Sequence, residues 1–371
     1  MIKLAKPYIP TKSIDDVVAV LKSGNLIQGQ YVDKFEKALQ EYLGIEHAII
    51  VNSGTAALHA SLLALGVTCG DVVIVPAFTF PATANVVELV GATPVIVDIL
   101  LEDYCIDSKQ ISAAITERTK AIIPVHEFGQ AADMSKIMQI SNRCGIAVIE
   151  DAACALGTEF NGRKVGTFGK LGCFSFHPRK AITTGEGGVV VTNNDHCAEA
   201  VRAFRNHGIL IRQGRQEFVF AGLNYRLTDF QAALGLAQFE ELDFLIDQRI
   251  EQARLYNRLL KSIFQVKTPA TFEERKMVYQ TYHVLLDGAV NRDNLINLLK
   301  QAGVETNLGA QALNSMVYFQ SKYGLKKEDF PKRWKHLHRV WLCRLGCISM
   351  KIPLQRLCQS WIWSFRNYEK D

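Results

Sequence analysis

Three features of the sequence could take part in chemistry. Lys180 lies just before a glycine-rich turn at 183–188, and its amine could form a Schiff base with a carbonyl compound. Asp151 follows an apolar run, so its carboxylate could hold a positive charge at the end of a strand. Gly54 and Thr55 open a helix, so their backbone N–H groups could face an anion. Taken singly, each feature has a plainer structural explanation as a surface charge, a salt bridge or a helix cap.

Short apolar runs alternate with helical segments over the first half of the chain. Strands are predicted at 48–51, 72–75, 94–97, 121–125, 147–150 and 188–192, and helices at 13–22, 32–43, 54–65 and 82–89. This alternation predicts an α/β fold, with a mainly parallel sheet covered by helices on both faces. Ligands of such sheets bind at the carboxyl ends of the strands. We therefore expect Gly54, the segment 76–80, His126 and Asp151 to meet along one edge.

The chain of 371 residues is long enough for two domains. We predict a large cofactor-binding domain over residues 1–240 and a smaller α+β C-terminal domain over residues 241–371. A long helix from Gln238 through Leu260 is predicted to lead from the first to the second.

Composition excludes several classes of function. The net charge of +5 is small and the basic residues are scattered, which argues against a nucleic-acid partner. The N-terminus carries no secretory signal, and no uninterrupted apolar stretch approaches the length of a membrane span. The nine cysteines have no regular spacing, which indicates reduced thiols, a cytoplasmic location and no metal site. Cys69, Cys144 and Cys173 lie beside apolar runs and are predicted to be buried.

Together, the three chemical features fit a pyridoxal phosphate site. Such a site needs a lysine for the Schiff base, a carboxylate that keeps the pyridine nitrogen protonated, and a cradle for the phosphate. Lys180, Asp151 and the Gly54–Thr55 pair supply these three parts. A nicotinamide dehydrogenase is disfavoured, because no G-x-G-x-x-G motif follows the first strands.

The same residues belong to motifs that resemble a known family. The motifs lie at 26–29 (LIQG), 52–58 (NSGTAAL), 76–80 (PAFTF), 150–153 (EDAA), 166–169 (GTFG), 175–188, 205–208 (RNHG) and 222–226 (GLNYR). The chain resembles the nucleotide-sugar aminotransferases of the DegT/DnrJ/StrS family, which are fold type I pyridoxal-phosphate enzymes. This resemblance covers about residues 1–325, and the block at 175–188 is its most specific part.

The resemblance implies a role for each matching residue. Lys180 resembles the Schiff-base lysine that also moves the proton between cofactor and sugar carbon, and Asp151 resembles the partner of the pyridine nitrogen. Phe80 is in the position of the aromatic side chain that stacks on the cofactor ring.

The phosphate contacts are implied by the same resemblance. Gly54, Thr55 and Ser175 resemble phosphate ligands. Asn224 matches an asparagine that reaches the phosphate from the partner subunit. The resemblance therefore implies a homodimer with shared active sites.

Two departures from the family stand out. Cys154 lies three residues after the aspartate, near the cofactor's ring hydroxyl, where the family usually has Gln, His or Glu; a thiol is a much weaker hydrogen-bonding group. The tail after about residue 331 is rich in Trp and Cys, with little helical period. Either this is a genuine C-terminus or part of it is translated out of frame, which the gene sequence would decide.

The implied reaction moves an amino group, with glutamate as the donor, onto the ketone of a nucleotide-linked deoxy sugar in surface-polysaccharide or glycoconjugate biosynthesis. One alternative is a dehydratase of the same family, against which Lys180 argues because that branch replaces the lysine by histidine. The other is a non-catalytic relative that only binds cofactor or a partner. Sugar or nucleotide contacts and purely structural roles are equally open for Gln28, His126, His207, Arg226 and 307–313.

Overall fold

A seven-stranded sheet lies at the centre of the fold. The computed structural model describes residues 3, 6–308, 312–326, 330 and 340–343. The strands of the first half are β1 (His47–Val51), β2 (Val72–Pro76), β3 (Thr93–Val97), β4 (Thr119–Ile122), β5 (Ala147–Asp151), β6 (Glu159–Phe160), β7 (Arg163–Lys164), β8 (Leu171–Ser175) and β9 (Gly188–Thr192). The sheet has the order β1-β9-β8-β5-β4-β2-β3, and only the pairs made by β9 are antiparallel. The predicted α/β fold with a mainly parallel sheet is confirmed.

Helices cover both faces of this sheet. The described helices are α1 (Thr11–Ser23), α2 (Gln30–Leu43), α3 (Gly54–Ala64), α4 (Ala82–Leu89), α5 (Ser108–Ala114), α6 (Met134–Cys144), α7 (Asp195–Arg205), α8 (Asp229–Phe239), α9 (Leu242–Leu260), α10 (Arg292–Gln301) and α11 (Val317–Tyr323). Leu295 and Leu299 of α10 pack in a third core rather than on this sheet. Val32, Phe35 and Leu39 of α2 recur at helical spacing and are fully buried in one core. Ala57 and Leu58 of α3 pack in the core of the other face. Strands buried on both sides explain why their sequences are continuous apolar runs.

The second half adds a smaller sheet. The hairpin of β10 (Ile209–Arg212) and β11 (Arg215–Phe218) comes first in this half of the chain. It is followed by the strands β12 (Val266–Lys267), β13 (Arg275–Lys276), β14 (Tyr282–Leu286), β15 (Asn307–Leu308) and β16 (Val340–Cys343). Four of them form a sheet in the order β12-β14-β16-β15, whereas β13 pairs with β6 of the first half. One core likewise joins Phe78 and Phe128 to Tyr282 and Val284. Contacts therefore cross residue 240, and the two-domain division there stays a prediction.

Three local predictions from the sequence need correction. The long helix begins at Leu242, because Gln238 belongs to α8, where its side chain donates to the backbone of Thr183 and Leu234. Cys173 is buried as expected, but Cys69 and Cys144 are exposed. Cys69 lies in the turn before β2 and Cys144 is the last residue of α6, so apolar neighbours such as Val67 and Ile146 are buried without them.

Two further predictions concern the C-terminal tail and membrane spans. Apart from β16, the tail after residue 331 lies outside them, and so do the hypotheses about its origin. Within the described part of the chain, no helix combines the length and the apolar character that a membrane span requires.

Candidate active site

The carboxyl ends of the central strands meet as expected. The backbone N–H of His126, beyond β4, donates to the carbonyl of Asp151 at the end of β5 over 3.0 Å. From the segment after β2, the Thr79 and Thr83 hydroxyls lie 2.8 Å apart, and Thr83 donates to Asp151 Oδ2 over 2.8 Å. The segments that follow β2, β4 and β5 thus meet at Asp151, through its carboxylate and its backbone carbonyl, as the alternation of strands and helices predicts.

Asp151 is held in a polar but water-excluded position. Its Oδ1 accepts from the backbone N–H of Ala153 at 3.2 Å, in addition to the Thr83 contact at Oδ2. Burial raises the pKa of Asp151, although these two donors and the ammonium of Lys180 act to lower it. A cation placed against this carboxylate would favour its charged form. The position therefore suits a partner for a protonated ring nitrogen.

Lys180 lies in the same cluster. Its Nζ donates to Cys154 Sγ over 3.0 Å. Burial alone would lower the pKa of Lys180, but the Cys154 thiol and the carboxylates of Asp151 and Glu127 together raise it above the ordinary value. The backbone is fixed too, because Arg249 donates to the carbonyl of Lys180 at 3.2 Å. The amine is thus a proton-carrying group held in a defined place.

An anion cradle is built where α3 begins. A Cβ on Gly54 would lie only 2.8 Å from Ser175 Cβ and 3.2 Å from Ser175 Oγ, so glycine lets the first turn of α3 approach this serine. The first N–H groups of a helix have no partner within it, and the Ser53 side chain caps one of them by accepting from the Ala56 N–H at 3.0 Å. A helix N-terminus beside a hydroxyl suits a phosphate.

The other predicted site residues are less closely tied to this cluster. Thr55 is exposed in the first turn of α3, and the Phe80 ring is 73% exposed beside the segment that carries Thr79. Asn224 is exposed; its carbonyl accepts from Asn52 Nδ2 at 3.3 Å. Among the described residues, no hydrogen bond joins Asn224 to Asp151 or Lys180. Its role, like that of every site residue named from the sequence, stays a prediction.

The buried Glu150 ties the loop at 166–169 and His126 to this edge. Its Oε1 accepts from the backbone of Phe168 and Gly169 at 2.6 and 2.7 Å, and its Oε2 accepts from Gly166 at 2.7 Å and lies 3.0 Å from His126 Nε2. His126 Nδ1 accepts from the backbone of Ala132 at 3.1 Å. Both ring nitrogens of His126 are thereby engaged inside the protein, which favours its structural role over sugar contact.

Sequence reasoning missed Glu127 in this site. Its side chain is 6% exposed, and burial raises its pKa to about 8, with the Lys180 ammonium lowering and the Asp151 carboxylate raising this value. The one available signal was its position just beyond a predicted strand at the ligand-binding edge.

The residues of this edge fit pyridoxal phosphate. The buried carboxylate of Asp151 can accept a hydrogen bond from the protonated ring nitrogen, and Lys180 beside it can reach the carbonyl carbon of the cofactor. Where Gly54 approaches Ser175, the absence of a Cβ leaves a cradle for the phosphate. The exposed Phe80 ring offers a flat apolar face for stacking.

Comparisons with known proteins show that the chain is similar to aminotransferases. A sequence model of the DegT/DnrJ/EryC1/StrS aminotransferase family matches residues 7–347. GDP-perosamine synthase of Caulobacter vibrioides is 41% identical over 281 residues, which cover 75% of this chain and 76% of that protein.

Solved structures agree over almost the whole length. Helicobacter pylori PseC, an aminotransferase involved in pseudoaminic acid biosynthesis, superposes with a TM-score of 0.92 at 28% identity and covers 99% of both chains. A putative sugar aminotransferase of Streptococcus pneumoniae, in its PLP form, has a TM-score of 0.93 at 26% identity, again over 99% of both chains. The resemblance thus extends beyond residue 325.

Proposed function

Because the chain belongs to the DegT/DnrJ/EryC1/StrS aminotransferase family, we propose that it transfers an amino group from glutamate to the ketone of a nucleotide-linked deoxy sugar, with pyridoxal phosphate as cofactor. The observation that carries this proposal is the placement of the part-buried Lys180 and the buried Asp151 together at the carboxyl edge of the sheet. The names of the relatives, GDP-perosamine synthase and PseC, support a sugar nucleotide as amino acceptor.

In this reaction the cofactor, when bound, withdraws electrons from the carbon that loses or gains a proton. Asp151 supports that withdrawal, because its carboxylate in a water-excluded site stabilises a positive charge on the ring nitrogen. Thr83 and the Ala153 N–H keep the carboxylate oriented. A fixed, desolvated charge is most effective when it need not reorganise during the reaction.

Lys180 has two tasks in the proposal. Its Nζ would hold the cofactor, and the same amine would carry the proton to or from the reacting carbon. Cys154 and Arg249 keep the side chain and its backbone in place, at 3.0 and 3.2 Å. A histidine at this position would lack the amine that the first task needs, which argues against the dehydratase alternative.

Gly54, Thr55 and Ser175 would bind the phosphate, and Phe80 would stack on the ring. Asn224 would complete the phosphate site of the partner subunit, so we also propose a homodimer with shared active sites. Sites of this kind would work in the cytoplasm, where sugar nucleotides for polysaccharide or glycoconjugate synthesis are made.

The function is tested by separating the two half-reactions. Purified protein loaded with pyridoxal phosphate should convert glutamate to its keto acid in an amount stoichiometric with the protein. Addition of a panel of keto nucleotide sugars should then give an amino sugar nucleotide, identified by mass spectrometry. Lys180→Ala is the control and should form neither product. Loss of water from the sugar would favour the dehydratase, and no keto acid from folded, loaded protein would favour a non-catalytic relative.

A further inference from the structure

Two nucleophilic side chains are in direct contact in the candidate active site. The Lys180 Nζ lies 3.0 Å from the Cys154 Sγ. The proposed reaction uses the amine but gives the thiol no chemical step. A thiol that is oxidised beside a nitrogen nucleophile can be joined to it, because a sulfenic acid condenses with nitrogen to a sulfenamide. The contact therefore offers a second kind of chemistry at this edge of the sheet.

Both members of the pair are carried by ordered backbone. Cys154 lies in the turn after β5, which is closed by the Ala155 N–H donating to the Ala152 carbonyl at 2.8 Å. On the other side, Arg249 donates to the carbonyl of Lys180 at 3.2 Å. The lysine stem itself is flexible, so its Nζ can close the remaining distance to the sulfur without movement of the backbone.

This thiol differs from the others in its surroundings. Cys154 and Lys180 are both partly exposed, so a small solute can reach them. Cys173 is also near the site in sequence, but its Sγ is buried and lies 3.2 Å from the Ser61 hydroxyl in an apolar core. Among the described residues, no other cysteine accepts a hydrogen bond from a lysine. Cys154 is therefore the thiol whose oxidation would have an amine beside it.

The amine also assists the first step of such a reaction. Burial raises the pKa of Cys154, whereas the charge of the Lys180 ammonium and its hydrogen bond act to lower it. The thiolate, not the thiol, is the form that attacks an oxidant. The thiolate of Cys154 would thus form against a cation that stabilises it.

We propose that Cys154 and Lys180 form a modification site, at which a hydroperoxide joins the two side chains by a sulfur–nitrogen bond. First, the Cys154 thiolate attacks one oxygen of hydrogen peroxide; the S–O bond forms, the O–O bond breaks, and hydroxide leaves as water with the proton of the thiol. Next, the free amine of Lys180 attacks the sulfur; the S–N bond forms, the S–O bond breaks, and hydroxide leaves as water with a proton of the nitrogen. The sulfur loses two electrons, which reduce the peroxide to two waters.

The bond would be reversible and would compete with the cofactor. One thiol attacks the sulfur and releases the Lys180 amine, and a second thiol then releases Cys154 and leaves as a disulfide. The inference rests on the proposed function only in one respect: a cofactor held by Lys180 leaves no free amine and protects the site. Gln, His or Glu, which the family usually has at position 154, would carry no sulfur to oxidise.

The test treats the full-length protein, freed of cofactor, with hydrogen peroxide and maps the products by peptide mass spectrometry. We expect the peptides of Cys154 and Lys180 to be joined with the loss of two hydrogen atoms, and dithiothreitol to separate them. Cys154→Ser should give no joined peptide. Cys144→Ser is the matched control, because Cys144 is an exposed thiol at the end of α6, and it should give as much joined peptide as the parent.

A trapping experiment follows the oxidised sulfur itself. Dimedone, which reacts with sulfenic acids, should label Cys154 in Lys180→Arg but hardly in the parent, because a guanidinium stays protonated and does not attack the sulfur. With pyridoxal phosphate at about a hundred times its dissociation constant, about one site in a hundred keeps a free amine, so joining should slow about a hundredfold in the loaded parent.

Absence of the joined peptide from folded, cofactor-free parent protein would overturn the proposal, and so would equal dimedone label on the parent and on Lys180→Arg. If Lys180→Arg fails to fold, the joined peptide of the parent and its loss in Cys154→Ser decide. A joined peptide that forms equally fast in the loaded protein would support the modification site and refute the proposed function, since the cofactor would then not occupy Lys180.

Discussion

Replacing Glu150 by glutamine should destabilise the protein far more than the loss of one charge suggests. All four contacts of the Glu150 carboxylate are made by donors: three backbone N–H groups at 2.6–2.7 Å and His126 Nε2 at 3.0 Å. Glutamine would place an NH₂ group against one pair of these donors. His126 cannot solve the conflict by changing tautomer, because its Nδ1 already accepts from Ala132.

The magnitude follows from two buried contacts that become unsatisfied. At about 1–3 kcal/mol each, the free energy of unfolding should fall by about 2–6 kcal/mol. We would measure urea unfolding of the cofactor-free protein by tryptophan fluorescence. Glu159→Gln is the control, since Glu159 is partly exposed and pairs with Lys164 at the surface, where about 1 kcal/mol or less is expected. A loss below 1 kcal/mol for Glu150→Gln would show that the four contacts do not hold this edge together.

Three further changes test other parts of the site. The folded-state pKa of Glu127 is about 8, against an ordinary value of 4.5, so the parent protein loses stability as the pH rises from 5 to 8. In urea unfolding, Glu127→Gln should therefore gain stability relative to the parent by about 1.4 kcal/mol per pH unit over that range. Equal pH profiles for the two proteins would contradict this. Asp151→Asn should slow the glutamate half-reaction about a hundredfold or more, and near-normal turnover would make Asp151 merely structural. A mixture of the Asn224→Ala and Lys180→Ala proteins should regain up to about a quarter of parent activity after subunit exchange. Half of the randomly formed dimers are mixed, and each mixed dimer has one intact site out of two. No recovery despite exchange would place Asn224 outside the partner's site.

The fold was largely predictable, because its signal is local. Strands buried on both faces must be apolar runs, so β1, β2, β3 and β5 were located to within a residue or two. The boundary between α8 and α9 was not, since both helices continue the same pattern across Glu240. Cys69 and Cys144 show the same limit: an apolar neighbour in sequence does not decide which side chain turns inward.

The site was predictable only where a motif or a strand end marked it. The convergence of Gly54, His126 and Asp151 along one edge follows from parallel strands. Glu127 could not be assigned, because its burial depends on the positive φ of Phe128 and on packing by His283, which comes from far along the chain. Such non-local contacts leave no mark in a short window of sequence.

The central claim is that Lys180 holds the cofactor beside Asp151. Its most direct test is borohydride reduction of the protein loaded with pyridoxal phosphate, followed by peptide mass spectrometry. We predict that the visible absorbance disappears and that the cofactor mass is found on the peptide containing Lys180, with no label on Lys180→Ala. Label on another lysine, or equal label on the Lys180→Ala protein, would contradict the account.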